Sequence, residues 1–296
     1  MTHARPRYLE SKRSVDARSR APRVRDRLLA ELPADPEILE AGCGTGVTVP
    51  QLLSWDIDAG QYRGIDTDER IVSFARRVRP AALRWAGHDV TTTSATEQST
   101  SESAGADTDF AVADLAVTFE TGDALDALES NAGVDLVVAQ SFADLVPLPR
   151  FVSAIESALR PGGFAYLPLT FDGGTIFQPD HPADEAVERA YHAAMDDAPG
   201  RDVRAGRHLA HRFGNGDGEL LAMASSDWVV RPRSGGYAAD ERYFLAEILG
   251  FVEETLSESG EAPAQFDSWL STRRAQLDAG TLLYVAHQYD LLYRAP

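Results

Sequence analysis

The segment with the most chemistry in it is Ile38-Leu39-Glu40-Ala41-Gly42-Cys43-Gly44-Thr45-Gly46. It leaves an apolar run that reads as a strand and enters a stretch with helical spacing. Three glycines in five residues permit positive φ and let a ligand approach the backbone, because no Cβ intervenes. The helix start beyond them supplies unsatisfied N–H groups. A dinucleotide-binding turn, G-x-G-x-x-G, requires glycine where this chain has Val47. The G-x-G-x-G spacing, with Glu40 two residues upstream, points to a ligand with no pyrophosphate at the turn and counts against a nicotinamide oxidoreductase. Cys43, the one cysteine, has no base near it in sequence and reads as a small structural residue. One cysteine forms no internal disulfide or multi-cysteine metal site, and no metal is expected.

Such a turn needs a sheet behind it. Strands are expected at 37–41, 62–66, 117–120, 134–139 and 164–170, alternating with helical stretches at 47–55, 68–78 and 149–159. Arg160-Pro161-Gly162-Gly163 stops the last of these helices. The alternation predicts a doubly wound, Rossmann-like α/β fold, with helices on both faces of a mostly parallel sheet. Residues 219–230 and 281–289 are strand-like, for seven strands in all, and 184–196, 239–257 and 264–279 are helical. Val15, Val24, Leu28 and Leu29 suggest an amphipathic helix ending before Pro33. Residues 1–35 are therefore expected as an N-terminal helical lid, 36–171 as the core, and 172–296 as the rest of the sheet with substrate-side helical insertions. Residues 91–109 hold no large apolar side chain and many Ser and Thr, so they read as a disordered surface insertion.

The ordered set of motifs resembles the class I S-adenosylmethionine-dependent methyltransferases over roughly residues 37–170. Glu40-Ala41-Gly42-Cys43-Gly44-Thr45-Gly46 is similar to their first motif, and Gly64-Ile65-Asp66 to the end of their second strand. Thr121-Gly122-Asp123-Ala124 resembles the adenine-contacting segment. Val134–Ser141, then Leu159-Arg160-Pro161-Gly162-Gly163-Phe164, resemble the fourth strand and the turn before the fifth. The resemblance implies S-adenosyl-L-methionine as cofactor. Its aminocarboxypropyl end would lie on Glu40, Gly42, Cys43, Gly44 and Gly46, its ribose on Asp66 and Thr67, and its adenine on Asp123 and Ala124. An ionised Asp66 can accept from both hydroxyls of a cis-diol. Asp66 and Asp123 also suit helix N-caps. Gln140 and Ser141 either contact the cofactor or end the fourth strand.

Methyl transfer asks the protein to hold nucleophile, methyl and sulfur in line. A hydroxyl nucleophile also needs a general base, whereas a carboxylate or thiolate does not. Ala139-Gln140-Ser141-Phe142 lacks the Asn/Asp-Pro-Pro-Tyr/Phe signature of amino-directed members, so a small-molecule acceptor is expected. The acceptor should be bound by the additions at 1–35, 171–212 and 232–280. Lys12, Arg13, Arg18, Arg207 and His208 are the residues suited to an anionic small molecule. His208 is the position named for a base, among His181, His192, His211 and His287. Asp227, Trp228 and Tyr237 suit a pocket wall.

Lys+Arg total 28 against Asp+Glu 46, for a net charge of -18. Lys12 is the single lysine, and an acidic, lysine-poor chain suits molar salt, where charges are screened within about 3 Å. Nucleic acid is disfavoured by that charge, although residues 1–35 hold nine basic residues against five acidic ones and leave an RNA substrate as an alternative. A non-catalytic binding module of the same fold is a further alternative. No run of 18 apolar residues and no signal-like N-terminus appear, so a cytoplasmic protein without a membrane span is expected. The sequence does not fix the oligomeric state.

Overall fold

The computed structural model describes residues 5–92, 108–234 and 236–296. Three short helices open the chain: α1 (Pro6–Ser11), α2 (Arg13–Ser19) and α3 (Pro22–Leu29). They replace the single N-terminal helix expected. Pro22 starts α3 because Arg20 is extended, with ψ 137°, and ends α2 before it. There follow β1 (Glu37–Ala41), α4 (Thr48–Leu53), β2 (Ala59–Asp66), α5 (Glu69–Trp85), β3 (Val90–Thr92), β4 (Phe110–Val112), β5 (Asp114–Thr121), α6 (Ala124–Ser130) and β6 (Val134–Val138). The second half holds α7 (Leu148–Ala158), β7 (Leu159–Gln178), α8 (Asp184–Asp196), α9 (Ala205–Gly214), β8 (Glu219–Ser225), β9 (Trp228–Val230), α10 (Ala239–Ser259), α11 (Phe266–Asp278) and β10 (Leu283–Arg294).

The described strands form one ten-stranded sheet, ordered β3-β4-β5-β2-β1-β6-β7-β10-β8, with β9 paired to β10. The central strands β5, β2, β1, β6 and β7 run parallel, as expected. Both flanks are antiparallel, which the sequence did not predict. All seven expected strands are present. The total rises to ten because 219–230 breaks into β8 and β9, and because Val90–Thr92 and Phe110–Val112 pair beside β5. Thr91 and Thr92 thus belong to the sheet, and Asp109 accepts the Phe119 N–H at 2.7 Å. The rest of the expected insertion, 93–107, lies outside the described residues. The expected boundary at 171/172 falls inside β7.

Alternation along the parallel strands sends neighbouring side chains to opposite faces. Leu39, Val137 and Leu167 pack with Leu128, Phe151, Ile155, Leu209 and Phe213 of α6, α7 and α9. Ile38, Leu136 and Tyr166 pack with Leu28, Leu52 and Val72 of α3, α4 and α5 on the other face. A third apolar cluster joins Tyr8 and Val15 to Phe244, Trp269 and Tyr284 of α10, α11 and β10. No described helix is long and apolar enough to cross a membrane.

Candidate functional site

The chain leaves β1 for β2 on one side and returns to β6 on the other, so loops at their carboxyl ends diverge and open a crevice. A cavity of about 470 Å³ lies there. Its floor is the turn after β1. Gly42, Gly44 and Gly46 have φ of +71°, +53° and +72°, a region that favours glycine. The Gly42 and Cys43 N–H groups both donate to the Ile65 carbonyl at 2.9 Å, tying the turn to β2. The Gly44 N–H donates to Asp66 Oδ2 and the Asp68 N–H to Asp66 Oδ1, each at 3.0 Å. Each Asp66 oxygen thereby keeps acceptor capacity for a ligand. Burial raises the Asp66 carboxyl above the usual carboxylate range, partly offset by these N–H bonds.

The three glycines serve different ends. A Cβ on Gly44 would touch only Leu9, at 3.4 Å, so this residue faces the open cavity. A Cβ on Gly46 would sit 2.4 Å from the Phe119 ring, and Gly46 does not line the cavity. Gly46, expected on the cofactor, packs against Phe119 in this structure. Glu40 lies beneath the turn, where Thr48 Oγ1 donates to Oε1 at 2.6 Å and the Tyr62 hydroxyl donates to Oε2. Burial pushes the Glu40 carboxyl up to about 7. Both its oxygens are engaged by the protein, so Glu40 braces the turn. Cys43 is buried against it, and burial raises the thiol well above its ordinary range, which leaves it unreactive.

Asp123 caps α6, its Oδ1 accepting from the Leu125 and Asp126 N–H groups at 2.9 and 3.0 Å. It lines the cavity with Thr67 and Ala124. Gln140 and Ser141 line it from the end of β6 and also contact the N-terminal helices. Gln140 Nε2 donates to Asp16 Oδ2 at 3.1 Å, and Gln140 Oε1 accepts from Arg20. Ser141 is left-handed, with φ +49°, and its Oγ accepts from Lys12 Nζ at 3.3 Å. Lys12 is 6% exposed and ion-paired to Asp16 Oδ2 at 3.1 Å, while Trp228 Nε1 donates to Asp16 Oδ1 at 2.9 Å.

Ten of the eleven residues expected around the cofactor therefore border one cavity, Gly46 being the exception. The acceptor-side expectations fare differently. Lys12 lines the cavity; Arg18, Arg207 and His208 do not. Arg18 pairs with Glu241 at 2.7 Å, and Arg207 grips the buried Asp172 with Nε 2.9 Å from Oδ2. His208 Nδ1 lies 2.6 Å from Asp202 Oδ2, outside the cavity, so it is no base for chemistry there. None of the other histidines named lines it either; His192 reaches it only through a 2.8 Å contact with Thr175. Trp228 lines the cavity, while Asp227 and Tyr237 do not. Sequence reasoning missed Tyr8, Phe171, Tyr191, Phe251, Tyr284 and the polar Asp144, Arg201 and Gln288. Asp144 alone carried a usable signal, three residues beyond Ser141.

No protein-family model matches the chain, and no curated protein matches its sequence. Solved structures do resemble it. A candidate methyltransferase from Bacillus halodurans C-125 superposes with a TM-score of 0.53 at 13% identity, covering 93% of this chain and 100% of its own. A SAM-dependent methyltransferase from Thiobacillus denitrificans, in complex with S-adenosyl-L-homocysteine, gives 0.45 at 20% identity over 94% and 93%. Geranyl diphosphate C-methyltransferase from Streptomyces coelicolor A3(2) gives 0.49 at 12% identity over 95% and 79%. The first of these likenesses shows that the chain shares that protein's Rossmann-like α/β fold, with a mostly parallel central sheet.

Proposed function

We propose that this protein is an S-adenosyl-L-methionine-dependent methyltransferase acting on a small molecule, an enzyme of the cytoplasm. The observation that carries the reading is the Asp66 carboxylate, held by two backbone N–H groups beside a glycine turn that faces an open cavity. Further support comes from Thr45, which lines the cavity and whose buried Oγ1 has no partner among the described residues. The residues fit the cofactor. Asp66 and Thr67 would hold its ribose, Asp123 and Ala124 its adenine, and Gly42 to Thr45 its amino-acid end. Lys12, assigned above to an anionic acceptor, suits the cofactor's carboxylate better, since Ser141 holds it beside the turn. The cofactor supplies an electrophilic methyl on a sulfonium. The protein's work is to fix that methyl's direction and to exclude water.

Three ion pairs of the basic N-terminal segment count against the alternative RNA substrate. Arg5, Arg7 and Arg18 pair with Glu247, Asp240 and Glu241 of α10 and are not presented outward as a free basic strip. Titration calorimetry with S-adenosylhomocysteine in molar potassium chloride tests the proposal. Binding should be lost or weakened at least about tenfold in Asp66→Ala and Gly44→Val, in line with the one to three kcal/mol of a charge-assisted bond. A folded wild-type protein that shows neither heat nor thermal shift would sink it.

A further inference from the structure

Beyond the cofactor residues the cavity changes character. Six rings line it: Tyr8, Phe171, Tyr191, Trp228, Phe251 and Tyr284. Burial raises Tyr8, Tyr191 and Tyr284 well above the usual phenol range, so all three stay neutral. The charges beyond the cofactor residues are few. Lys12 is offset by Asp16, and Asp144 lies within electrostatic range of Arg201. With Lys12 turned to the cofactor's carboxylate and Asp144 and Arg201 within range of each other, a charged acceptor meets no unopposed counter-ion and still loses its hydration. Gln288 is 2% exposed and lines the cavity, and its Oε1 has no hydrogen-bond partner among the described residues. That oxygen can satisfy only a donor.

Asp144 lines the same cavity. It sits on a short 3₁₀ turn, Ala143–Leu145, directly after Ser141 and Phe142. Among the described residues no side chain donates a hydrogen bond to its carboxylate. We propose that the cavity, beside the rings that line it, takes an uncharged, ring-sized apolar molecule bearing a hydroxyl, and that Asp144 accepts the hydroxyl proton as that oxygen is methylated. This inference rests on the cofactor reading above and names the acceptor for the same site. The acceptor oxygen bonds to the methyl carbon, the carbon–sulfur bond breaks with its electron pair left on sulfur, and the proton passes to an Asp144 oxygen. A sulfonium cation and a carboxylate anion are thereby both neutralised, which an apolar surrounding favours. Burial raises the Asp144 carboxyl; Arg201 and Lys12 draw it back down, and Asp202 adds to the rise. A raised carboxyl is the stronger base.

The test uses three matched probes on full-length protein saturated with S-adenosylhomocysteine: 2-naphthol, 2-naphthoate and 2-naphthylmethylammonium. Calorimetry should show 2-naphthol binding at least about tenfold more tightly than either charged probe, as expected when a charge must be buried unpaired. With methyl-labelled cofactor, label should enter 2-naphthol. Asp144→Asn should lower that rate by about 10²–10⁴ and abolish its rise with pH, leaving 2-naphthol affinity within about threefold. Asp144→Glu should restore the pH limb and guard against a folding artefact. Preference for a charged probe, no transfer to 2-naphthol, or an undiminished rate in Asp144→Asn overturns the inference. Failure of S-adenosylhomocysteine to bind overturns the cofactor reading instead, so the two failures are told apart.

Discussion

Gly44 and Gly46 share a residue type and a left-handed backbone, yet the space beside each differs. At Gly44 an added methyl points into the cavity, at Gly46 into Phe119. Gly44→Ala should therefore weaken S-adenosylhomocysteine binding with a modest loss of melting temperature. Gly46→Ala should lower melting by about 6 °C or more, since overpacking and strain together cost about 3 kcal/mol. Equal melting losses in the two variants would refute this division. Glu40 gives a second residue-scale expectation. Its folded carboxyl titrates near 7 instead of 4.5, so between those values the folded state holds a proton that the unfolded chain has released. Stability from this group is complete below about pH 4.5 and falls as pH rises towards 7, by on the order of 3 kcal/mol. Glu40→Gln should flatten that part of a melting-versus-pH curve. The chemistry near the turn was legible because its residues are contiguous or lie at strand ends. Arg18, Arg207 and His208 were misplaced because a charge in a sequence does not reveal its partner, and each found a local acid.

At the scale of elements, the N-terminal helices are joined to the sheet by buried polar groups. Asp290 of β10 accepts the Ala21 N–H at 2.8 Å and the Leu169 N–H at 2.9 Å. It thus fixes the α2–α3 junction against β7. Asp290→Ala strands two backbone donors and should cost about 2–4 kcal/mol, with faster hydrogen exchange across α1 and α2 before the rest of the sheet. Uniform exchange across the molecule would show that these helices are not separately anchored. The parallel strands were legible in the sequence, since doubly covered strands are short apolar runs. The antiparallel flanks were not: β3 and β4 are three residues each and take their order from pairing, β3 with β4 and β4 with β5. The aromatic wall was equally hidden. Its members come from α1, α8, α10, β7, β9 and β10, and each alone is an ordinary packing residue.

For the whole molecule, net charge sets the response to salt. Arg5, Arg7 and Arg18 bridge to α10, but Arg5 and Arg7 are about half exposed, and such pairs contribute little each. Mutual repulsion among carboxylates in a chain of charge -18 acts over the whole surface. Raising potassium chloride from 0.1 to 2 M should therefore raise the melting temperature, by about 2 °C or more, as a gain of over 1 kcal/mol implies. A fall would mean that the ion pairs dominate.

The chain's single lysine is also the amine held at the cavity wall by Ser141 and Asp16. An amine-directed acylating reagent has one internal target, and that target lines the cleft. Mass spectrometry of the acylated protein would then read fractional saturation from one adduct, without a radiolabel or a known acceptor.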